Sequence, residues 1–407
     1  MKPMLSFLIA GLFAIVGALP AQENNQPKDK FSGYMFGDYY YNVARDPAFA
    51  GSTPLSKTAL ANPKDMQGFQ FRRIYFTYDN DISDQFTSRF RLEADQSALT
   101  TGSSTSVLTS ATTLASSAKL DSTLTTKSAN AGSYQGKITV FVKDAYLKWK
   151  NLFEGSDLIF GIQPTTAYDI SETWWSYRSL EKTIMDLRGI IPSRDFGVAL
   201  RGQITSDGMF NYWAMIANGD GNSPASTQFK RYSLNLQVKP NANWQATLNG
   251  DYRAQANIDD INSTSNPKAT VSNNVFTGAL FLGYKEADKY SVGLEGFMQS
   301  AANGYTDRST TPASLTGLNA MGISVWGSVN FQPDLALILR YDYYDPNTNS
   351  NSKGDSRNYV IGGVSWKPDK NVSIMPNIQV ETYEAPTNGT APDASITGRV
   401  TVYYIFL

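Results

Sequence analysis

The sequence predicts an all-β chain, a transmembrane antiparallel β-barrel of about sixteen strands with short periplasmic turns on one rim and long extracellular loops on the other. Three observations predict it. Candidate strands alternate oily and polar side chains, and the connections between them alternate short and long. The chain also opens on an export-type leader, yet no later stretch holds the roughly 18 consecutive apolar residues that a spanning helix needs.

The alternation is clearest from Gly68 to Gln96. Phe86, Ser88, Phe90, Leu92 and Ala94 fall on one face of a strand and Thr87, Arg89, Arg91, Glu93 and Asp95 on the other, because successive side chains point to opposite sides. The preceding run repeats this, with Ile74, Phe76 and Tyr78 against Arg73, Tyr75, Thr77 and Asp79, and a polar turn at 80–85 joins the two. One oily and one charged side suits a strand between lipid and a wet lumen. A half-buried sheet in a soluble protein alternates in the same way, so the pattern alone leaves both readings open.

Composition narrows the chemistry. The 407 residues carry 13% aromatic and 17% charged side chains and a net charge of -1, with neither cysteine nor histidine. Leu5 to Leu19 is the continuous apolar run; with Lys2 before it and Pro20-Ala21-Gln22 after it, residues 1–21 read as a signal peptide cut after Ala21. The lack of cysteine excludes a disulfide framework and a lipid anchor on an N-terminal cysteine. The lack of imidazole closes Ser-His-Asp and Cys-His catalysis and His-liganded zinc. No nucleophile and base pair stands out in their place, so no enzyme activity, cofactor or metal is expected. Near-zero net charge gives no sign of a nucleic-acid partner.

The elements follow in order. After a polar spacer at 22–30, a single barrel domain is expected over 31–407, and Phe31 to Asn42, dense in Tyr and Phe, is its first strand. A loop at 44–67 leads to the hairpin above. From Ser97 to Gln135 the chain is mostly Ser, Thr and Ala, with few large apolar groups, and is expected to be a long surface loop. Ile138 to Lys150 then sets Ala145, Leu147 and Trp149 against Asp144, Tyr146 and Lys148, and a short turn leads to Leu158, Phe160 and Ile162. Phe196, Val198 and Leu200 oppose Asp195, Arg201 and Gln203, ahead of Phe210, Tyr212, Ala214 and Ile216. Tyr232, Leu234, Leu236 and Val238 oppose Arg231, Ser233, Asn235 and Gln237; Trp244, Ala246, Leu248 and Tyr252 oppose Asn249, Asp251 and Arg253. Further strands are expected at 274–284, 290–299, 319–331, 335–344, 358–367, 372–383 and 395–407, which makes sixteen.

Connection lengths separate the two readings. Short turns at 80–85, 151–157, 205–208, 239–243, 285–289, 332–334 and 368–371 alternate with longer loops between every pair. Tight turns on one rim and extended loops on the other are the asymmetry of an outer-membrane barrel, and a soluble sandwich has no reason to segregate its loops this way.

Sixteen strands enclose an aqueous channel, whereas eight are filled by their own side chains. The faces opposite the oily ones carry Arg73, Arg89, Arg91, Lys148, Arg201, Arg231, Arg253, Arg340 and Arg399. They also carry Asp79, Glu93, Asp95, Asp144, Asp195, Asp251, Glu295, Asp342 and Glu381. Equal numbers set no ion preference by net charge, and many of these groups are expected to pair across strands and hold the wall. Arg89 and Arg91 with Glu93 and Asp95, on one strand face, are the candidates for a transverse field. The third loop, Pro164 to Arg194, is long and aromatic. It reads as partly helical from Ser171 to Leu187, with Ser171 as N-cap ahead of Glu172. Trp174, Trp175 and Tyr177 are too dense to sit in water. The loop is expected to fold into the barrel as a constriction that offers Arg178, Glu181, Lys182, Asp186 and Arg188 to a passing solute; a subunit contact or a lid over the mouth is the alternative.

Between Gly68 and Asn218 the chain resembles the family of phosphate-selective porins O and P. The resemblance lies in FQFRRIYFTYDNDISDQFTSRFRLEAD, in VKDAYLKWK at Val142 to Lys150, in LIFGIQPTTAYD at Leu158 to Asp169 and in SRDFGVALRG at Ser193 to Gly202. It implies a sixteen-stranded trimeric barrel whose third loop narrows the pore and whose arginine and lysine rows guide anions, with Arg73, Arg89, Arg91 and Arg201 as family-like lumen arginines. The expected function is a bacterial outer-membrane porin, set in outer-membrane lipid, that passes small hydrophilic solutes or ions, with an anion or phosphate preference as the sharper form. The alternative is a surface-exposed binding or adhesion protein that uses the barrel as an anchor.

Overall fold

The computed structural model describes residues 29–47, 63–95, 140–309, 311–350, 352–387 and 389–407, together with the backbone of 104–113 and 120–128. The leader at 1–21 and all but the end of the spacer at 22–30 lie outside the described residues. In chain order the strands are β1 (Asp29–Ala44), β2 (Gln67–Asp81), β3 (Phe86–Asp95), β4 (Ser104–Thr113), β5 (Leu120–Ser128), β6 (Val140–Phe153), β7 (Ser156–Pro164), β8 (Arg194–Gln203), β9 (Phe210–Ala217) and β10 (Arg231–Val238). They continue as β11 (Trp244–Arg253), β12 (Ile258–Asp259), β13 (Thr270–Val271), β14 (Val275–Glu286), β15 (Tyr290–Asp307), β16 (Ser314–Gln332), β17 (Leu335–Asp345), β18 (Arg357–Asp369), β19 (Val372–Tyr383) and β20 (Ser395–Ile405).

All but β4, β5, β12 and β13 form one closed antiparallel barrel of sixteen strands, in which each strand pairs with its neighbours in sequence and β1 pairs with β20. These are the strands read from the sequence, with ends displaced by a few residues. Closure leaves no unpaired edge, which matters where no water is present to satisfy backbone groups. The reading of 97–135 as a loop needs correction. Its described part is a hairpin in which β4 pairs with β5, from Ser104 opposite Ser128 to Thr113 opposite Leu120. Threonine favours extended backbone even where it has nothing to bury, so the scarcity of large apolar groups did not rule out strands.

The wall is the inverse of a soluble protein. Leu234, Leu248, Phe276, Leu280, Leu339 and Ile378 are each at least 45% exposed, while Asn235, Asn249, Thr277, Arg340 and Gln379, on the lumen face of the same elements, are at most 2% exposed. Exposed aromatics mark both ends: Phe31, Trp244, Tyr290, Phe331, Trp366 and Phe406 near the short-turn rim, and Tyr39, Tyr41, Phe69, Tyr252 and Tyr341 toward the long loops. An apolar band between two aromatic girdles on a closed barrel is matched to lipid, and it places this chain in a bacterial outer membrane.

Two bulges alter which side chains face inward. Phe36 opposes Arg73 but Gly37 opposes Phe71, so Arg72 is an extra residue of β2. Arg91 opposes Asp144 but Leu92 opposes Val142, so Lys143 is an extra residue of β6. Strict alternation would send Arg72 and Lys143 into lipid; the bulges turn both toward the lumen.

Between β7 and β8 the chain folds along the inner wall, with helices α1 (Asp169–Trp175) and α2 (Ile184–Leu187). Trp175 packs on Trp326, ring centroids 5.4 Å apart, in a cluster with Leu180, Phe281, Ile338, Tyr359, Ile361 and Met375. Tyr168, Ile184, Met185 and Ile191 pack on Ala279 and Phe297. Gly293 makes room for this, since a Cβ there would stand 2.2 Å from the Trp326 ring. The expected helix from Ser171 to Leu187 is therefore two short ones. Ser176, left-handed at φ 60, ends α1 and turns the chain to follow the curved wall. The N-cap position is Tyr168 rather than Ser171, whose hydroxyl donates instead to the Tyr168 carbonyl at 3.1 Å.

Candidate functional site

The inner loop is tied to the barrel by charged side chains from several strands. Arg72 donates to the carbonyls of Ser179 (2.6 Å) and Leu180 (2.9 Å) and stands 3.7 Å from the Glu181 carboxylate. Arg340 donates to the Lys182 carbonyl at 2.5 Å and pairs with Asp342 at 2.6 Å. Arg399 approaches Glu181 at 3.8 Å, and Gln379 donates to the Leu180 carbonyl at 3.2 Å. Further along, Arg188 pairs with Glu381 at 2.7 Å. Arg178 pairs with Glu172 and, at 2.8 Å, with Asp186, which Lys182 also approaches at 3.8 Å. Burial penalises the Glu181 carboxylate, but Arg72 and Arg399 outweigh it and hold its pKa below the usual range; Arg178 and Lys182 do the same for buried Asp186.

The structure thus places Trp175, Arg178, Glu181 and Arg188 in contacts that fix the loop, rather than free in the channel. Trp174 lies against Phe281 at 6.2 Å and Tyr177 against Trp175 at 5.7 Å. On the wall, Glu93 is shared by Arg73 and Lys143, each at 2.9 Å, and Asp95 lies 3.7 Å from Arg73. Arg231 bridges Asp195 and Asp251, both at 3.4 Å. These pairs correct the reading of Arg89, Arg91, Glu93 and Asp95 as a transverse field. The two acids are neutralised at the long-loop end of β3, and the two arginines, nearer the short turns, have acids of their own in Asp79 and Asp144, so each of the four faces an opposite charge on the wall.

Because the loop hugs β14 to β20 and reaches β2, space remains on the side of β3 and β6 to β9. A cavity of about 120 Å3 there is lined by Arg89, Arg91, Lys148, Arg194 and Arg201, with Asp169 as its one carboxylate, between Tyr146 and Trp213. Arg89, Tyr146 and Lys148 also line a cavity of about 310 Å3 that reaches Lys30 and Asp79 at the short-turn rim. The two form one polar slot along the wall. Most of its cations have partners: Arg89 with Asp79 at 2.6 Å, Arg91 with Asp144 at 3.3 Å, Lys148 with Asp157 at 3.7 Å, and Arg194 with Asp144. Arg201 makes no ion pair with a described residue; its guanidinium lies 4.7 Å over the Trp213 ring. Arg253 ends β11 at the long-loop rim, outside this slot.

The residues that alternation missed are Arg72, Lys143 and Arg194. Each sits beside another charge, in Arg72-Arg73, Lys143-Asp144 and Arg194-Asp195. Adjacent charges in an oily strand are the signal, since only a bulge or a rim position lets both avoid lipid.

No protein-family model matches the chain, and no curated protein matches it. Its fold is similar to solved outer-membrane structures. The outer membrane channel DcaP of Acinetobacter baumannii is 10% identical, with a TM-score of 0.56 over 93% of this chain and 97% of that one. An anion-selective porin from Comamonas acidovorans is 10% identical, with a TM-score of 0.55 over 94% of this chain and 100% of that one. The trimer form of OmpT, an outer membrane protein of Vibrio cholerae, is 10% identical, with a TM-score of 0.52 over 94% and 100%. The chain has the porin fold.

Proposed function

We propose that this protein is a diffusion porin that passes small hydrophilic solutes through the slot between β3, β6 to β9 and the inner loop, with a preference for anions. The observation that carries the reading is the narrower cavity of the slot, whose lining holds Arg89, Arg91, Lys148, Arg194 and Arg201 against Asp169, and where Arg201 makes no ion pair with a described residue. A solute there meets a wall whose ion pairs leave Arg201 as the excess positive charge, in a narrow passage where partial dehydration strengthens the field. The resemblance in sequence to phosphate-selective porins and the anion-selective structural neighbour support the same preference. A homotrimer is the assembly proposed, in keeping with the trimer form of one neighbour.

The test is a reversal potential across a planar bilayer in a potassium chloride gradient. The protein should prefer chloride, and Arg201→Glu should move the reversal potential toward cation preference while the channel still conducts. A wild-type protein without anion preference would remove the selectivity claim; one without conductance would remove the porin.

A further inference from the structure

Beneath the inner loop, on the short-turn side, lies a cavity of about 560 Å3 that shares no lining residue with the slot. Its barrel wall is made of small hydroxyl side chains at one height on neighbouring strands: Ser291 on β15, Ser328 on β16, Ser365 on β18 and Ser373 on β19. Ala336 of β17 lies opposite Ser365 in register and is equally small, so an alcove opens under the loop. Tyr34 and Tyr403, ring centroids 5.6 Å apart, form one flank, and Tyr177 of the loop contributes to the roof.

The polar groups are unevenly satisfied. Ser291 and Ser328 hydrogen-bond to each other at 2.9 Å. Ser365 lines the alcove and is 1% exposed, and its Oγ has no hydrogen-bond partner among the described residues. A buried hydroxyl left unpaired costs stability, and a ligand that supplies the missing partner recovers it. The charges are balanced or peripheral: Glu172 pairs with Arg178, Glu286 with Lys289 at 2.5 Å, and Lys285, Asp288 and Lys367 are exposed at the rim.

We propose that this alcove is a binding site for a neutral polyhydroxylated solute of the size of a disaccharide. Such a ligand offers many hydroxyl donors and acceptors to a serine wall and apolar ring faces to tyrosines, and it has no charge for the cationic slot to capture. The volume falls within the range of small-molecule sites, about 300–1,000 Å3. The inference rests on the porin reading and gives the channel two zones: a cationic slot for transit and a recess with a serine wall for retention.

The experiment uses the full chain in a planar bilayer, with maltose added to each side in turn while the current is recorded. Maltose on the short-turn side should reduce the current saturably. Ser365→Ala, which removes one hydroxyl, should raise the half-blocking concentration about threefold to tenfold, as the loss of one hydrogen bond implies. Ser365→Trp, which fills the recess, should abolish saturation and leave the reversal potential unchanged. A current that falls only linearly with maltose, or saturation that persists undiminished in Ser365→Ala, overturns the proposal. Heat-modifiable gel migration reports whether each variant is folded, and if Ser365→Trp is not, Ser365→Ala decides. A channel that does not conduct at all refutes the porin itself, a separate result.

Discussion

Arg72 shows how much a single residue can do when it is out of step with its strand. As the extra residue of a bulge it leaves the lipid face, spans from Asp38 at 3.5 Å to Glu181 at 3.7 Å, and supplies two donors to the turn of the inner loop. Replacing it with Met would leave both acids short of a partner in a buried place. We expect Arg72→Met to lower stability by about 3–5 kcal/mol, the cost of breaking a buried ion pair from one side, and to make the open-channel current noisier as the loop loosens. Urea unfolding followed by gel shift, with single-channel recordings, measures both. At this scale the sequence was legible in composition and not in geometry. Away from the bulges the charges of the lumen face could be read off by parity, but which of them pair depends on register between strands. Glu93, neutralised by two cations, and Arg201, which makes no ion pair with a described residue, look alike in one dimension.

At the scale of elements, the inner loop is a short helical ribbon fastened by apolar packing and by ion pairs. Its aromatic density was readable, as was the need to bury it. The break at Ser176 was not, because the left-handed conformation that ends α1 falls on a serine and not on the glycine that usually marks it. Glu181 and Asp186 have folded pKa values below their unfolded ones, so their contribution is present in full above about pH 4, the usual carboxylate value, and is lost as pH falls through the lowered values. We therefore expect open-channel noise to stay constant from pH 8 to about 5 and to rise only below about pH 4. A rise already at pH 6 would mean that other groups hold the loop. The hairpin of β4 and β5 marks a different limit of sequence reading. A sequence of mostly Ser, Thr and Ala carries no oily alternation to read, yet the backbone ladder forms.

The whole molecule is governed by its solvent. Sixteen alternating strands and the strict succession of short and long connections sufficed to fix the barrel, because both follow from one demand: a closed ring with lipid outside and water inside. Leu339, 55% exposed on the lipid face of β17, tests that demand. Leu339→Arg should cost about 2–4 kcal/mol if the site lies at mid-membrane, measured by folding into lipid vesicles against urea, whereas a soluble protein would tolerate or welcome the change. The same substitution on a chain that folds without lipid would show no penalty, which would undo the placement of the barrel in a membrane.

The bulge in β2 also bears on what insertions and deletions the chain can survive. Removing one residue from a regular strand rotates everything beyond it by half a turn, so that Phe76 would face water and Tyr75 the acyl chains. At Arg72 the surplus residue can be dropped without that inversion, and the ladder on either side stays in phase. The wall of the pore thus contains a spare link, and a lineage that loses it keeps its vessel but gives up a fastening of the inner loop.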